Sequence, residues 1–157
     1  MKYLSFRKLV WAASAAGLVL ASTASAETLR LSHNTGDATS WHLGAERFAQ
    51  LLDEASEGEL NVRVFPNAQL SGGDQMRQAE MVGRGALDLL ITSAINVTPL
   101  VPEMAVFSLP YLYANYDQVD ATTQGEPVEL LEAIMEEKGI VVLAWGENGF
   151  RELTNSV

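Results

Sequence analysis

Residues 29–65 read LRLSHNTGDATSWHLGAERFAQLLDEASEGELNVRVF, and the changes of period within them decide the fold. Leu29-Arg30-Leu31-Ser32 alternates apolar and polar side chains, as a half-buried strand does, and Asn34-Thr35-Gly36-Asp37 follows as a loop. From Trp41 to Ala55 the period lengthens. Trp41, Ala45, Phe48, Leu52 and Ala55 recur every three or four residues, with Glu46, Arg47, Gln50 and Asp53 between them. That spacing predicts an amphipathic helix, capped by Ser40 and stopped at Gly58. Leu60 to Phe65 returns to period two and closes at Pro66. Strand, helix and strand with a crossover of this length predict a parallel pair.

Downstream the pattern recurs in kind. Gln69 to Gly73 reads as a loop, and Asp74 to Val82 as a helix with Met76, Ala79, Glu80 and Met81 on or near one side, broken by Gly83 and Gly85. Leu87 to Thr92 is almost wholly apolar apart from Asp88, which suits a strand covered on both faces. Pro99, Pro102 and Pro110 bar a long helix between Ser93 and Ala114, where Val106 to Leu109 reads as a short strand or buried turn. Asn115 caps a short helix through Val119. A stronger helix is predicted over Pro127 to Lys138, with proline in its first turn, Glu129 and Glu132 toward its positive end and Lys138 before Gly139 at the other. Its buried stripe is Leu130, Leu131, Ile134 and Met135. Ile140 to Trp145 is the last predicted strand. Such alternation indicates an α/β fold with a mainly parallel sheet and flanking helices.

Upstream, residues 1–8 carry Lys2, Arg7 and Lys8, and residues 9–22 form an uncharged, alanine- and leucine-rich run. Ala24-Ser25-Ala26 then supplies the small-x-small pattern of a signal-peptidase site. The run is shorter than the ~20 residues a membrane-spanning helix needs. Residues 1–26 are therefore read as a cleavable signal peptide, and the product as exported, a bacterial periplasm fitting best. Cleavage leaves 131 residues and removes three positive charges, taking the formal net charge from −10 to −13.

Composition removes several classes of function. Twenty acidic residues against ten basic ones argue against a nucleic-acid or anionic-membrane binder, since either needs a basic surface to meet phosphate. The lack of cysteine excludes disulfide frameworks, thiol catalysis and cysteine-based metal sites. His33 and His42 are the two histidines, and neither sits in an H-E-x-x-H zinc pattern. Gly72-Gly73 lacks the lysine and hydroxyl residue of a phosphate loop, and neither Ser32 nor Ser40 lies in G-x-S-x-G. No metal, cofactor or catalytic residue is expected.

In open α/β sheets the ligand crevice lies beyond the C-terminal ends of the strands. His33 and Asn34 follow the first strand, and Thr92 and Ser93 follow the third. Arg151 lies six residues beyond Trp145, in Asn148-Gly149-Phe150-Arg151. Its guanidinium suits two-pronged recognition of a carboxylate; the plainer reading is a solvated loop charge, and for His33 a structural role. The overall negative charge does not exclude a small anionic ligand, because one buried arginine can outweigh a remote field.

Five stretches in register also resemble the extracytoplasmic solute receptors of tripartite ATP-independent periplasmic (TRAP) transporters, the dicarboxylate-receptor type family. They are Leu29 to Asn34; Val64-Phe65-Pro66-Asn67-Ala68-Gln69-Leu70 with Gly73; Gly85-Ala86-Leu87-Asp88; Phe107-Ser108-Leu109-Pro110-Tyr111-Leu112; and Gly139-Ile140-Val141 through Glu147-Asn148-Gly149-Phe150-Arg151 to Ser156. The resemblance implies a small organic anion as the ligand: two α/β lobes close over an organic acid and deliver it to membrane permease subunits. It implies that residues 27–146 form the first lobe and residues 147–157 begin the crossover toward a second. The family's principal carboxylate-clamping arginine then falls beyond Val157, and binding by the 157 residues alone is expected to be impaired. Arg151 matches a second cleft contact of the family and Asn34 a polar cleft position, while Ser93 stands where some relatives carry an acidic residue. The alternative reading is a small periplasmic α/β enzyme or adaptor domain without a closing cleft.

Overall fold

The computed structural model describes residues 26–150 and 154–156. The signal peptide predicted over residues 1–26, apart from Ala26, and Arg151 lie outside the described residues. Strand β1 spans Glu27–His33, helix α1 Ser40–Ala55 and strand β2 Leu60–Phe65. Helix α2 spans Arg77–Gly83 and strand β3 Leu89–Ile91. Helices α3, Tyr116–Thr123, and α4, Glu126–Glu137, follow after 3-10 helices at Ala94–Val97 and Pro102–Ser108. The three strands form one parallel sheet in the order β2-β1-β3.

The α/β reading holds, and β1 is its centre. Glu27 to Ser32 register with Leu60 to Phe65, while Leu31, Ser32 and His33 register with Leu89, Leu90 and Ile91. With a neighbour on each side, the end of β1 is the most enclosed backbone of the sheet: Leu31, Ser32 and His33 are all buried. Arg30 ties β1 to the chain entering β3. Its Nε meets Asp88 Oδ2 at 2.9 Å, Nη2 meets Oδ1 at 3.2 Å, and its backbone N–H donates to Oδ2 at 2.8 Å. The guanidinium and that backbone bond hold the Asp88 carboxyl below its ordinary pKa.

Helix α1 follows its predicted stripe: Ala45 is buried, Trp41, Phe48 and Leu52 are half-buried, and Leu43 and Leu51 face solvent. Two details differ. Ala55 is exposed in the last turn. The cap is Thr39, whose Oγ1 accepts the His42 N–H at 3.4 Å, because Thr39 has the extended backbone a cap needs while Ser40 is already helical. Asn115 caps α3 as expected, accepting from the Gln118 N–H at 3.0 Å.

The main core lies against α2 and α4. Ala79, Val97, Val101, Met104, Leu131, Met135 and Ile140 are buried together. In α4 the buried stripe is Val128, Leu131 and Met135, with Ile134 half-buried; Leu130, expected inside, is 61% exposed because the core meets the helix one residue to the side. Two glycines make the junction of α2 and α4. A Cβ on Gly83 would stand 2.5 Å from the Lys138 carbonyl oxygen, and Gly139 has φ +78° with the Gly83 oxygen 2.6 Å from its own missing Cβ. Only glycine combines that backbone conformation with that approach.

The strand expected over Ile140 to Trp145 is not formed. Ile140 is buried, and Val142 and Trp145 pack on the same core, while Val141 and Leu143 are 67% and 71% exposed. The side chains thus alternate from Ile140 to Leu143, and the alternation breaks at exposed Ala144 before Trp145 turns back to the core. No backbone ladder accompanies them among the described residues: packing supplies burial, whereas a strand also needs a neighbouring edge with free N–H and C=O groups. Trp145 is held by its indole, which donates to Glu132 Oε1 at 2.6 Å, and by Phe107, with ring centroids 5.5 Å apart. Leu87 and Asp88 likewise precede the short β3 rather than joining it, and Val106 to Leu109 ends a 3-10 helix. Among the described residues no helix is long and apolar enough to cross a membrane.

Candidate functional site at the strand ends

Parallel strands bring the C-terminal ends of β1 and β3 to one edge. There Asn34 Nδ2 donates to Thr92 Oγ1 at 2.8 Å, joining two residues 58 positions apart that the sequence had pointed to separately. Asn96, in the 3-10 turn after β3, also donates to Thr92 Oγ1, at 3.4 Å, and to Gln75 Oε1, at 3.4 Å. Ser93 begins that turn with extended backbone, is half-buried, and makes no capping bond with its side chain.

Behind Asn34 stands Gln78 of α2, which is fully buried. Its Nε2 donates to Asn34 Oδ1, and its Oε1 accepts from the Ser32 hydroxyl. A buried amide must have its donors and acceptor met, and this one is met by Ser32 of β1 and by Asn34 just beyond it. Sequence reasoning passed over Gln78. The signal was there: a glutamine beside Ala79, in the stripe of α2 that faces the core, needs a polar partner.

His33 is also fully buried. Its Nε2 lies 3.0 Å from His42 Nδ1 on α1, and its Nδ1 lies 3.2 Å from Thr35 Oγ1, which in turn meets Thr39 Oγ1 at 2.8 Å. Thr39 donates to the Gly36 carbonyl at 2.7 Å. This chain of side chains ties the loop after β1 to the start of α1. Burial first, and the neighbouring His42 second, hold the His33 pKa below the ordinary imidazole value. In this structure His33 is engaged with α1, while Asn34 and Thr92 occupy the rim.

Ahead of Arg151, Asn148 meets α1 and Phe150 meets α3. Trp41 Nε1 donates to Asn148 Oδ1 at 3.1 Å, and the Phe150 ring lies 4.9 Å from Tyr116. A separate surface concavity of about 480 Å³ is lined by Leu70, Ser71, Gly72, Arg77, Met81, Arg84 and Ala86. It contains none of the strand-end residues, and Arg84 there is paired with Glu80. The convergence of polar groups from two strands makes the sheet edge the stronger candidate. Among the described residues no three His, Asp or Glu side chains gather as metal ligands would. What the rim offers is hydroxyl and amide groups suited to holding a polar ligand.

Comparison with known proteins agrees with this architecture. The 2,3-diketo-L-gulonate-binding periplasmic protein YiaO of Escherichia coli is 34% identical over 155 residues, covering 98% of this chain and 47% of the relative. The C4-dicarboxylate-binding periplasmic protein of Rhodobacter capsulatus is 34% identical over 142 residues, 88% of this chain and 42% of that protein. Among solved structures, a TRAP periplasmic solute-binding protein from Ralstonia eutropha with bound (S)-2-acetolactate aligns at a TM-score of 0.75 and 39% identity, over 78% of this chain and 39% of that one. The sugar acid binding protein from Advenella mimigardefordensis in complex with galactonate aligns at 0.74 and 26% identity, over 80% and 40%. The chain spans about half the length of the curated relatives it matches. The family described as bacterial extracellular solute-binding protein, family 7 (DctP) matches residues 31–157, and with the parallel sheet and its matching relatives this establishes that the chain belongs to that family of TRAP-type receptors.

Proposed function

We propose that the chain is the first lobe of a periplasmic receptor that captures a small organic acid and passes it to the membrane permease subunits of a TRAP-type transporter. Residues 1–26 act as a cleaved export signal, residues 27–146 form the lobe, and residues 147–157 begin the crossover to a second lobe. The observation that carries the reading is the Asn34–Thr92 contact at the C-terminal ends of adjacent parallel strands. Relatives with bound acetolactate and galactonate support an organic acid as the class of ligand. The rim residues Asn34, Thr92 and Ser93 orient the acid, Arg151 supplies charge, and His33 supports the loop that carries Asn34. The role is binding, with no bond made or broken: the ligand stabilises a closed arrangement of two walls.

A polypeptide of residues 27–157 offers one wall. A ligand on one wall stays hydrated, and its contact with an arginine is screened, whereas binding pockets enclose most of a small ligand. Isothermal titration calorimetry against succinate, galactonate, D-erythronate and 2-acetolactate tests both points. A two-lobed form is expected to bind one of these acids saturably, and Asn34→Ala and Arg151→Ala to weaken it at least tenfold. Residues 27–157 alone should give little or no heat. Saturable binding indifferent to both substitutions would overturn the assignment of the rim. Micromolar binding by residues 27–157 would overturn the one-wall argument.

A further inference from the structure

The amide network behind the rim has a direction. Gln78 Nε2 lies 3.5 Å from the backbone carbonyl of Gln75, a group that can only accept. The nitrogen of the Gln78 amide therefore faces Gln75 and Asn34, and its oxygen faces Ser32. The reversed amide would set its oxygen against the Gln75 carbonyl oxygen, whereas Ser32, whose hydroxyl also lies 3.3 Å from the Phe65 carbonyl, accommodates either orientation, so the Gln75 carbonyl decides the direction. Asn34 is thereby fixed in turn. Its oxygen receives the Gln78 proton, so its nitrogen must point at Thr92. Thr92 Oγ1 then accepts from Asn34 at 2.8 Å and from Asn96 at 3.4 Å, which occupies both of its lone pairs. One polar group of Thr92 is left over: its hydroxyl proton, which among the described residues has no bonded acceptor.

We propose that Gln78 is a positioning residue that sets the hydrogen-bond polarity of the rim, holding the Asn34 amide nitrogen toward Thr92 and so leaving the Thr92 hydroxyl free only to donate. This deepens the receptor reading and rests on it for its consequence. A rim that donates selects ligand atoms that accept, such as the carboxylate, keto or hydroxyl oxygens of an organic acid. An ammonium group, which only donates, finds no acceptor on Thr92. Because Gln78 is buried and bonded to Ser32 of β1 and to Asn34 just after it, the polarity is set before any ligand arrives, and no side chain has to turn on binding.

Side-chain NMR of the exported chain tests the relay without needing a ligand. In the native protein the Asn34 amide protons should show contacts to the Thr92 side chain and slow solvent exchange, and the Gln78 amide protons should show contacts to Asn34. Gln78→Met keeps the length of the side chain and removes both polar ends. It should release the Asn34 amide, speeding its exchange at least tenfold and averaging its contacts. Asn34 amide protons that face Gln78 in the native protein would overturn the proposal, as would Asn34 contacts and exchange unchanged by Gln78→Met. If Gln78→Met fails to fold, Thr92→Val and Thr92→Ser decide. The serine variant should keep the Asn34 amide protected and the valine variant should lose that protection; equal behaviour of the two overturns the relay. Adding galactonate or succinate at millimolar concentration to the native protein separates this from the receptor reading. With the relay observed as described, signals of Thr92 and Asn34 that stay fixed under every acid would remove the rim as the ligand wall and leave the polarity of Gln78 standing.

Discussion

Replacing Leu31 by alanine is the most direct test of the claim that β1 is the beam under the site. Leu31 is 2% exposed, registers with Val64 of β2 and Leu89 of β3, and immediately precedes Ser32, His33 and Asn34. Three carbon atoms are removed, worth about 2.4 kcal/mol of transfer free energy at ~0.8 kcal/mol per methylene group. A strand paired on both sides cannot collapse into the space, so a cavity contribution adds to this. The total should be about 3–4 kcal/mol, inside the ~2–5 kcal/mol range of leucine-to-alanine changes in cores. Against a typical domain stability of ~5–15 kcal/mol that is a large fraction. Urea unfolding followed by both tryptophan fluorescence and far-UV circular dichroism would measure it, with Leu43→Ala as the control. Leu43 lies on α1 and is 67% exposed, so its truncation should stay within about 0.5 kcal/mol. A loss below ~1 kcal/mol for Leu31→Ala at unchanged denaturant slope, or a loss equal to that of the control, would refute a core built around β1.

Phe48→Ala should cost about 1.5–2.5 kcal/mol, less than a fully buried phenylalanine, because its ring is half-buried under α1; a cost above ~4 kcal/mol would mean that the helix sits deeper than described. The lowered pKa of His33 means that the unfolded chain takes up that proton more readily than the folded one. Stability should therefore fall as pH drops through about 6.5, and urea midpoints between pH 7.5 and 5.5 should slope less in His33→Gln than in the native protein. Asp88 has the opposite origin: its depressed pKa contributes stability that is present above about pH 4 and is lost as pH falls through the folded value. Asp88→Asn should flatten the acid limb of the pH–stability curve, and an unchanged limb would show that the Arg30 contact carries no net stabilisation. N-terminal sequencing of the exported protein should begin at Glu27, and a product that keeps Met1 would defeat the reading of residues 1–26.

Much of this protein was legible in its sequence because the governing interactions are local. The apolar spacing of Trp41, Ala45, Phe48 and Leu52 determined where α1 runs and which side it buries, and the period-two runs at Leu29 and Leu60 determined β1 and β2. Helix α4 came within a residue of its predicted ends, since Pro127 and Gly139 act on the backbone beside them. Even Asn34 and Thr92 could be singled out, because strand ends are sequence features and crevices follow them.

Tertiary structure decided what depends on partners far along the chain. Whether Ile140 to Trp145 becomes a strand turns on a neighbouring edge, and no pattern of side chains reports one. Leu130 faces solvent and Val128 the core because the surface of the core, rather than the helix itself, picks the stripe. Gln78 reads as one more polar residue of a short helix until the fold sets it between Ser32 and Asn34, 46 and 44 positions away. Periodicity is written in the covalent chain, one residue after the next. The direction of a hydrogen bond exists only once its donor and acceptor have been brought together.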